Sequence, residues 1–340
     1  MNAIEGIAIR GISAAVPTQV MRTRDYEVLT ENNRARFTAT TGVVERRVVK
    51  PGQCSSDLCA HAADKLLASL GWQRDSVQAL VFVSQTPDYP IPATAILLQD
   101  RLKLGTDTLA FDVNLGCSAY PYALMIVASL MKAMGLRRSL LLVGDVSSLG
   151  CRYEDSATWP LFGDAGTASA LELDEAAEPM HFDLHSDGSG GDVIMVPHGG
   201  FCSRSPGMNE AYLQLRGPDV FGFAITHAPK SIQSVLQQAG WTVGEVDHFV
   251  LHQANKMIND TVRKKVGYAA EKAPSTLELY GNTGSASVPL TLAAHGDGWT
   301  LPARVALCGF GVGLSWGTAT ATLMPSTKFE WVETDATYPE

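Results

Sequence analysis

Residues 111–135 read FDVNLGCSAYPYALMIVASLMKAMG: a short apolar strand, a tight glycine step, and a helix with small residues at its front and apolar ones behind. A helix that is apolar on most sides belongs inside a protein rather than on its surface. The same order returns in residues 280–296, YGNTGSASVPLTLAAHG. Working outward, a strand precedes each segment, ALVFVSQ (79–85) in one case and DHFVLHQ (247–253) in the other. Another strand follows each, SLLLVGDVSS (139–148) or ARVALCGFGVG (303–313), and then a glycine turn into an alternating strand, GDAGTASALEL (163–173) or WGTATATLM (316–324). Strand, buried helix, strand, turn, strand thus occurs twice. This predicts a duplicated α/β unit, with helices on both faces of sheets built mainly from βαβ crossovers. The acidic stretch LDEAAEP (173–179) separates the copies, so the expected halves are residues 1–177 and 178–340.

Composition narrows the function. The chain has 340 residues, 46% hydrophobic and only 18% charged. An average soluble protein carries about 25% charged residues, so part of this surface is expected to be neutral or covered by another subunit. A net charge of −9 offers no global basic field for nucleic acid. The longest apolar candidate for a membrane span, residues 123–136, is broken by Lys132. No basic segment followed by an apolar run opens the sequence, and a cytoplasmic enzyme is the expectation. Six cysteines in a chain this long do not form a disulfide framework, and none sits at metal-site spacing.

Three strand or helix ends carry candidate chemistry. In FDVNLGC, Cys117 stands where a strand passes through glycine into a helix, and a helix N-terminus favours thiolate over thiol. Its unpaired N–H groups can also hold a thioester oxyanion. The same position suits a merely buried cysteine. His252 ends the strand HFVL, where open α/β sheets bind ligands, and Asn255 just beyond reads as a helix cap. Asn282 lies between glycines at the front of the second buried helix, a place that by the repeat corresponds to Cys117. Finally, GFGVGLSWG (309–317) lacks the ending of a phosphate loop, but it permits close backbone approach, with Val312 N–H a second oxyanion donor. The loop GGFCSRSPGMN (199–209) has turn signals and is expected at the mouth of the site, with Cys202 exposed.

DVNLGCSAYPYAL, LHQAN, YGNTGSASVP and GFGVGLSWG, in this order and spacing, resemble the β-ketoacyl-acyl-carrier-protein synthase III family of the thiolase superfamily. TTGVVERRVV (40–49), FGDAGTASAL (162–171) and SDGSGG (186–191) extend the likeness over essentially the whole chain. The resemblance implies a thiolase-like five-layered αβαβα fold, a homodimer, and a Cys117–His252–Asn282 site with backbone oxyanion donors at Cys117 and Val312. It implies no metal and no cofactor; acyl-CoA and malonyl-acyl carrier protein are the implied substrates. Cys117 would take an acyl group from a thioester, and decarboxylation of the malonyl group, assisted by His252 and Asn282, would supply the carbanion that condenses with it.

This sequence also departs from the family pattern. Where relatives stack the CoA adenine between a Trp and an Arg, Arg36 and Ser156 stand here, with Arg152 and Trp159 nearby. The docking arginine after HQAN is replaced by Met257. Lys256, Arg263, Lys264 and Lys265 offer a local basic patch for an acidic carrier, or simply a solvated helix face. Ile91 falls where the family places a residue that crosses the dimer and closes the acyl pocket. These differences favour a specialised, secondary-metabolite type of paralogue. The rival readings are acyl transfer to an alcohol or amine, a non-catalytic subunit of a heteromeric synthase, and a thiolase using Cys308 ahead of its glycine turn.

Overall fold

The computed structural model describes residues 3–202 and 212–338. Two mixed sheets dominate it. The first has six strands in the order β15 (Lys328–Glu333), β2 (Ile7–Val16), β8 (Asp164–Leu173), β7 (Arg138–Val146), β5 (Ala79–Val83) and β6 (Leu109–Val113). The second has five, β1 (Ala3–Ile4), β9 (Met180–Ser186), β14 (Ser315–Leu323), β13 (Ala303–Gly311) and β12 (His248–Leu251). Two small ribbons, β3 (Val20–Arg22) with β4 (Glu45–Arg47) and β10 (Ile194–Met195) with β11 (Gln214–Leu215), lie beside them.

Helices α4 (Ala119–Met134) and α8 (Ser287–His295) fill the space between the sheets. Ala119, Tyr120, Ala123, Leu124, Val127, Ala128 and Met131 of α4 pack in one cluster with Ile12, Val81 and Leu141 of the first sheet and Val250, Val305 and Leu307 of the second. Leu124 is fully buried there, and its truncation to Ala should cost about 2–5 kcal/mol. On the outer face of the first sheet lie α2 (Ser55–Leu70) and α3 (Thr94–Arg101); on that of the second, α5 (Gly217–Ala239) and α6 (Lys256–Val266). The five αβαβα layers are therefore present. With cover on both faces, ALVFV in β5 is buried at every position, which explains its unbroken apolar run.

The sheets are mixed rather than built mainly from crossovers. The pairs β5–β6, β5–β7, β2–β15 and β12–β13 are parallel, whereas β7–β8, β2–β8, β13–β14 and β9–β14 are antiparallel. Between β13 and β14 only residues 312–314 intervene, too few for a crossover connection. The expected division at 177/178 falls in the turn between β8 and β9. Two terminal strands cross that division: β1 joins the second sheet beside β9, and β15 joins the first beside β2. For the site, the important consequence is that the carboxyl ends of β6, β12 and β13 and the front ends of α4 and α8 meet at one cavity.

Candidate active site

Cys117 sits between the end of β6 and Ser118, the residue that opens α4. Glycines let the β13 turn close upon it. A Cβ on Gly311, whose φ is +152°, would lie 2.6 Å from Cys117 Cβ and 2.8 Å from Sγ. One on Gly309 would lie 2.7 Å from the Cys117 carbonyl oxygen, and one on Gly116 2.6 Å from Val312 Cγ1. This close packing brings the N–H groups of Val312 and Cys117 onto the sulfur, the pair expected to receive an oxyanion. Ser118 Oγ and Ser315 Oγ, 2.7 Å apart and buried, tie the nucleophile turn to β14. Helix position alone predicts a thiolate, but burial overrides it. Desolvation pushes the thiol up to about 11; the N–H of Val312 opposes this, the nearby Asp145 carboxylate adds to it, and the residue's own N–H opposes it.

His252 follows β12, and its backbone N–H donates to the Cys308 carbonyl at 2.7 Å. Ser287 Oγ, from α8, engages Nδ1 at 2.7 Å, which leaves Nε2 as the nitrogen able to address a substrate. Burial drives the imidazole down to about 3, against a backbone hydrogen bond at Gly284 that favours the protonated ring. At neutral pH the ring is uncharged.

Asn282 is fixed at three points. Its N–H donates to the Leu161 carbonyl at 2.9 Å, its carbonyl accepts from Gly163 N–H at 2.9 Å, and Oδ1 accepts from Gly284 N–H at 3.0 Å. With Oδ1 occupied, Nδ2 is the end of the amide left to donate. Gly281 has φ +63°, and a Cβ there would meet the Leu161 carbonyl at 2.5 Å, so the turn needs glycine.

Cys117, His252, Asn282 and Val312 line one cavity of about 590 Å³. Its apolar wall includes Leu161, Phe162, Ile194, Leu215, Val220 and Phe310, none of which the sequence reading singled out. Ser287 and Gly284 were missed as well. SVPLT reads only as the buried front of a helix, although the hydroxyl at its first position was a usable signal. Among the described residues no cluster of His, Cys, Asp or Glu is arranged to hold a metal ion. Nor is any helix long and apolar enough to cross a membrane.

Other candidates land elsewhere. Ile91 is 84% exposed and is not in the cavity of its own chain. Ser55 Oγ donates to the Thr86 carbonyl and Ser56 Oγ to Asp88, which holds the base of this loop against α2 and turns its tip outward. Cys308 is fully buried in β13, its thiol raised to about 12 by burial, and it does not line the cavity. Arg36 on α1 (Glu31–Thr41) and Arg152 are exposed; Arg152 lies 3.8 Å from Glu154. Trp159 faces the Arg46 guanidinium at 5.2 Å and the Tyr153 ring at 5.3 Å, so its ring is already engaged.

The basic patch on α6 is weaker than its sequence promises, because Asp260 pairs with both Lys256 and Arg263. Lys265 reaches the Ile225 carbonyl at 2.9 Å, and Lys264 is exposed. Asn255 caps α6, accepting from Ile258 N–H at 2.9 Å. Of the expected mouth loop, residues 199–202 are placed, with Gly200 on the cavity wall and Cys202 exposed; residues 203–209 lie outside the described residues.

Comparison with known proteins agrees with this geometry. The family model for 3-oxoacyl-[acyl-carrier-protein] synthase III matches residues 111–188, and the model for its C-terminal part matches residues 236–323. The chain is 33% identical over 325 residues to a β-ketoacyl-[acyl-carrier-protein] synthase III of Thermosynechococcus vestitus, covering 93% of this chain and 98% of that one. Among solved structures it is similar to a 3-oxoacyl-(acyl-carrier protein) synthase from Burkholderia xenovorans, with 36% identity, TM-score 0.92 and 98% of each chain covered. It is also similar to 3-oxoacyl-(acyl carrier protein) synthase III from Pseudomonas aeruginosa, with 30% identity, TM-score 0.86, and 94% and 98% covered.

Proposed function

The chain belongs to the 3-oxoacyl-acyl-carrier-protein synthase III family, and from that premise we propose how its own residues divide the reaction. The enzyme condenses an acyl group from acyl-CoA with malonyl-acyl carrier protein, without a cofactor. In the proposed first half, Cys117 sulfur attacks the thioester carbonyl while the N–H groups of Cys117 and Val312 hold the oxyanion. The carbon–sulfur bond to CoA breaks, and the departing thiolate takes the thiol proton. In the second half, the malonyl carboxylate leaves as CO₂ and its bonding electrons pass into the thioester enolate. In the proposed tautomer Ser287 Oγ–H donates to Nδ1 and the ring proton sits on His252 Nε2, so that Nε2–H and Asn282 Nδ2–H both point donors at the enolate oxygen. The enolate carbon then attacks acyl-Cys117, the carbon–sulfur bond breaks, and the Cys117 thiolate takes up a proton from water to return to the thiol.

One observation carries this assignment: a thiol held by two N–H groups, a neutral imidazole and a locked amide share one cavity. Two neutral donors in a buried pocket stabilise a charge that develops on one oxygen. Intact Asn282 favours condensation over acyl transfer to an alcohol or amine. The test is reconstitution with acyl-CoA and malonyl-acyl carrier protein. The reading requires a β-ketoacyl product and stoichiometric CO₂; an acylated alcohol or amine without CO₂ release overturns it.

The finer points rest on narrower observations. We propose a cytoplasmic homodimer that pairs through β6, the open edge of the first sheet, where Leu109 is exposed and Phe111 and Val113 are half-buried. In that assembly Ile91 would close the partner's acyl pocket. Arg36, Arg152, Lys256, Arg263, Lys264 and Lys265 are proposed to meet the CoA or carrier phosphates. With Arg36 and Ser156 in place of an adenine clamp, and Trp159 already engaged, a specialised acyl donor of the polyketide-starter kind fits better than a generic one.

A further inference from the structure

A buried carboxylate, Asp145, is neither an oxyanion donor nor an enolate donor, although its charge helps to raise the Cys117 thiol. It is the penultimate residue of β7, on the cavity wall and 2% exposed, with no Lys or Arg within ion-pairing distance among the described residues. Its two oxygens serve different halves of the chain. Oδ1 accepts from Gln85 N–H at 2.8 Å, Ser84 Oγ at 3.0 Å and Thr86 Oγ1 at 3.3 Å, all in the loop after β5. Oδ2 accepts from Ser285 N–H at 2.8 Å, in the turn before α8. A buried charge with no counter-ion is costly, and it is tolerated only where hydrogen-bond donors replace water.

The turn that Oδ2 holds is the one that orients the enolate donors. Gly284 N–H fixes the Asn282 amide, and a Gly284 backbone hydrogen bond reaches the His252 ring. Contact is tight enough to transmit position: a Cβ on Gly284, whose φ is +57°, would lie 2.5 Å from Asp145 Oδ2. By contrast, the sulfur of Cys117 is positioned by β13 and the glycines at 309 and 311, with no hydrogen bond from Asp145.

We propose that Asp145 is a positioning residue for the decarboxylation half-reaction, holding the 284–286 turn against the loop after β5 so that Asn282 Nδ2 and His252 Nε2 aim at one oxygen. The claim rests on the division of labour proposed above. Asp145→Asn is the sharpest variant. Its oxygen can keep the Gln85 and Ser84 donors, but its amide then presents N–H to Ser285 N–H, donor against donor, and the turn must move. A misplacement of about 1 Å in a catalytic array costs on the order of a hundredfold.

The experiment measures two rates on each protein: CO₂ release from malonyl-acyl carrier protein, and acylation of Cys117 by acyl-CoA followed by intact mass. For D145N the first should fall about tenfold to a hundredfold while the second falls by no more than about threefold, since losing the nearby charge only eases ionisation of the Cys117 thiol. Gly284→Ala pushes the same turn from the other side and should reproduce the split, which covers the case in which D145N does not fold. Both rates falling together, or neither changing, overturns the positioning role while leaving the enzyme's reaction intact. Wild-type protein that acylates but never releases CO₂ overturns the functional reading, and this role with it.

Discussion

The front ends of α4 and α8 are copies of one design put to different uses. Each is a glycine-flanked turn that opens a buried helix between the sheets, and each delivers one polar side chain to the same cavity. At Cys117 the surroundings are backbone: glycines at 309 and 311 press the chain close enough for two N–H groups to reach the sulfur. At Asn282 the surroundings are hydrogen bonds, from Gly284 N–H to the amide and from Ser285 N–H to Asp145. The first arrangement suits charge arriving on a carbonyl bound to the nucleophile, the second charge appearing on a separate substrate. Duplication supplied two equivalent helix ends, and the chemistry was divided between them.

The comparison breaks most sharply at the nucleophile. Cys117→Ala should abolish acyl-enzyme formation, a loss of at least about a thousandfold, while CO₂ release persists. A C117A protein that still gains acyl mass ends the assignment. On the other side, Asn282→Ala removes one donor to the enolate and should lower CO₂ release about a hundredfold to a thousandfold, with Cys117 acylation nearly unchanged. Equal losses in both rates would mean that the two turns are not separate devices. Gly311→Ala tests the backbone side: its Cβ meets Cys117, so acylation should fall on the order of a hundredfold, and more than decarboxylation does.

Acidity separates the halves more gently. His252, held near 3 by burial, stays neutral from pH 8 to pH 5, so decarboxylation by a C117A protein should show no inflection near 6.5. Stability carries the opposite mark. The unfolded ring binds a proton below about 6.5 and the folded ring does not, so the unfolded state holds more protons and stability falls as pH drops from 6.5 towards 3. Replacing His252 with Asn should flatten that part of a denaturation-versus-pH curve; an unchanged slope would place the titration elsewhere. The smallest effect is expected at Lys264→Glu, a fewfold rise in KM for malonyl-acyl carrier protein with acyl-CoA kinetics unaltered.

The double unit and its three polar residues were legible because their signals are local. FDVNLGC, HFVLHQ and YGNTG each place a reactive side chain at a strand or helix end within a few residues. Partners that come from far along the chain were not legible. The six residues of β15 carry no sign that they pair with β2, more than 300 positions earlier. Cys117 reads as a helix-end thiolate, yet its acidity follows from burial, which no heptapeptide reveals. Lys256 and Arg263 read as free cations until the fold shows both beside Asp260, although that residue lies in their own helix at pairing distance and was there to be weighed. Ile91 reads as a residue that crosses a dimer seam, and it stands 84% exposed outside its own cavity, on a loop whose base is held by Ser55 and Ser56.

The central claim is that one half of the chain carries the acyl group and the other generates the carbanion. The most direct measurement is intact mass after incubation with a panel of acyl-CoAs, from acetyl to dodecanoyl and aryl, followed by peptide mapping. The division predicts a single acyl adduct on Cys117 in the wild type and in N282A, and none in C117A. An adduct on Cys202 or another cysteine, or loss of the adduct in N282A, would contradict it.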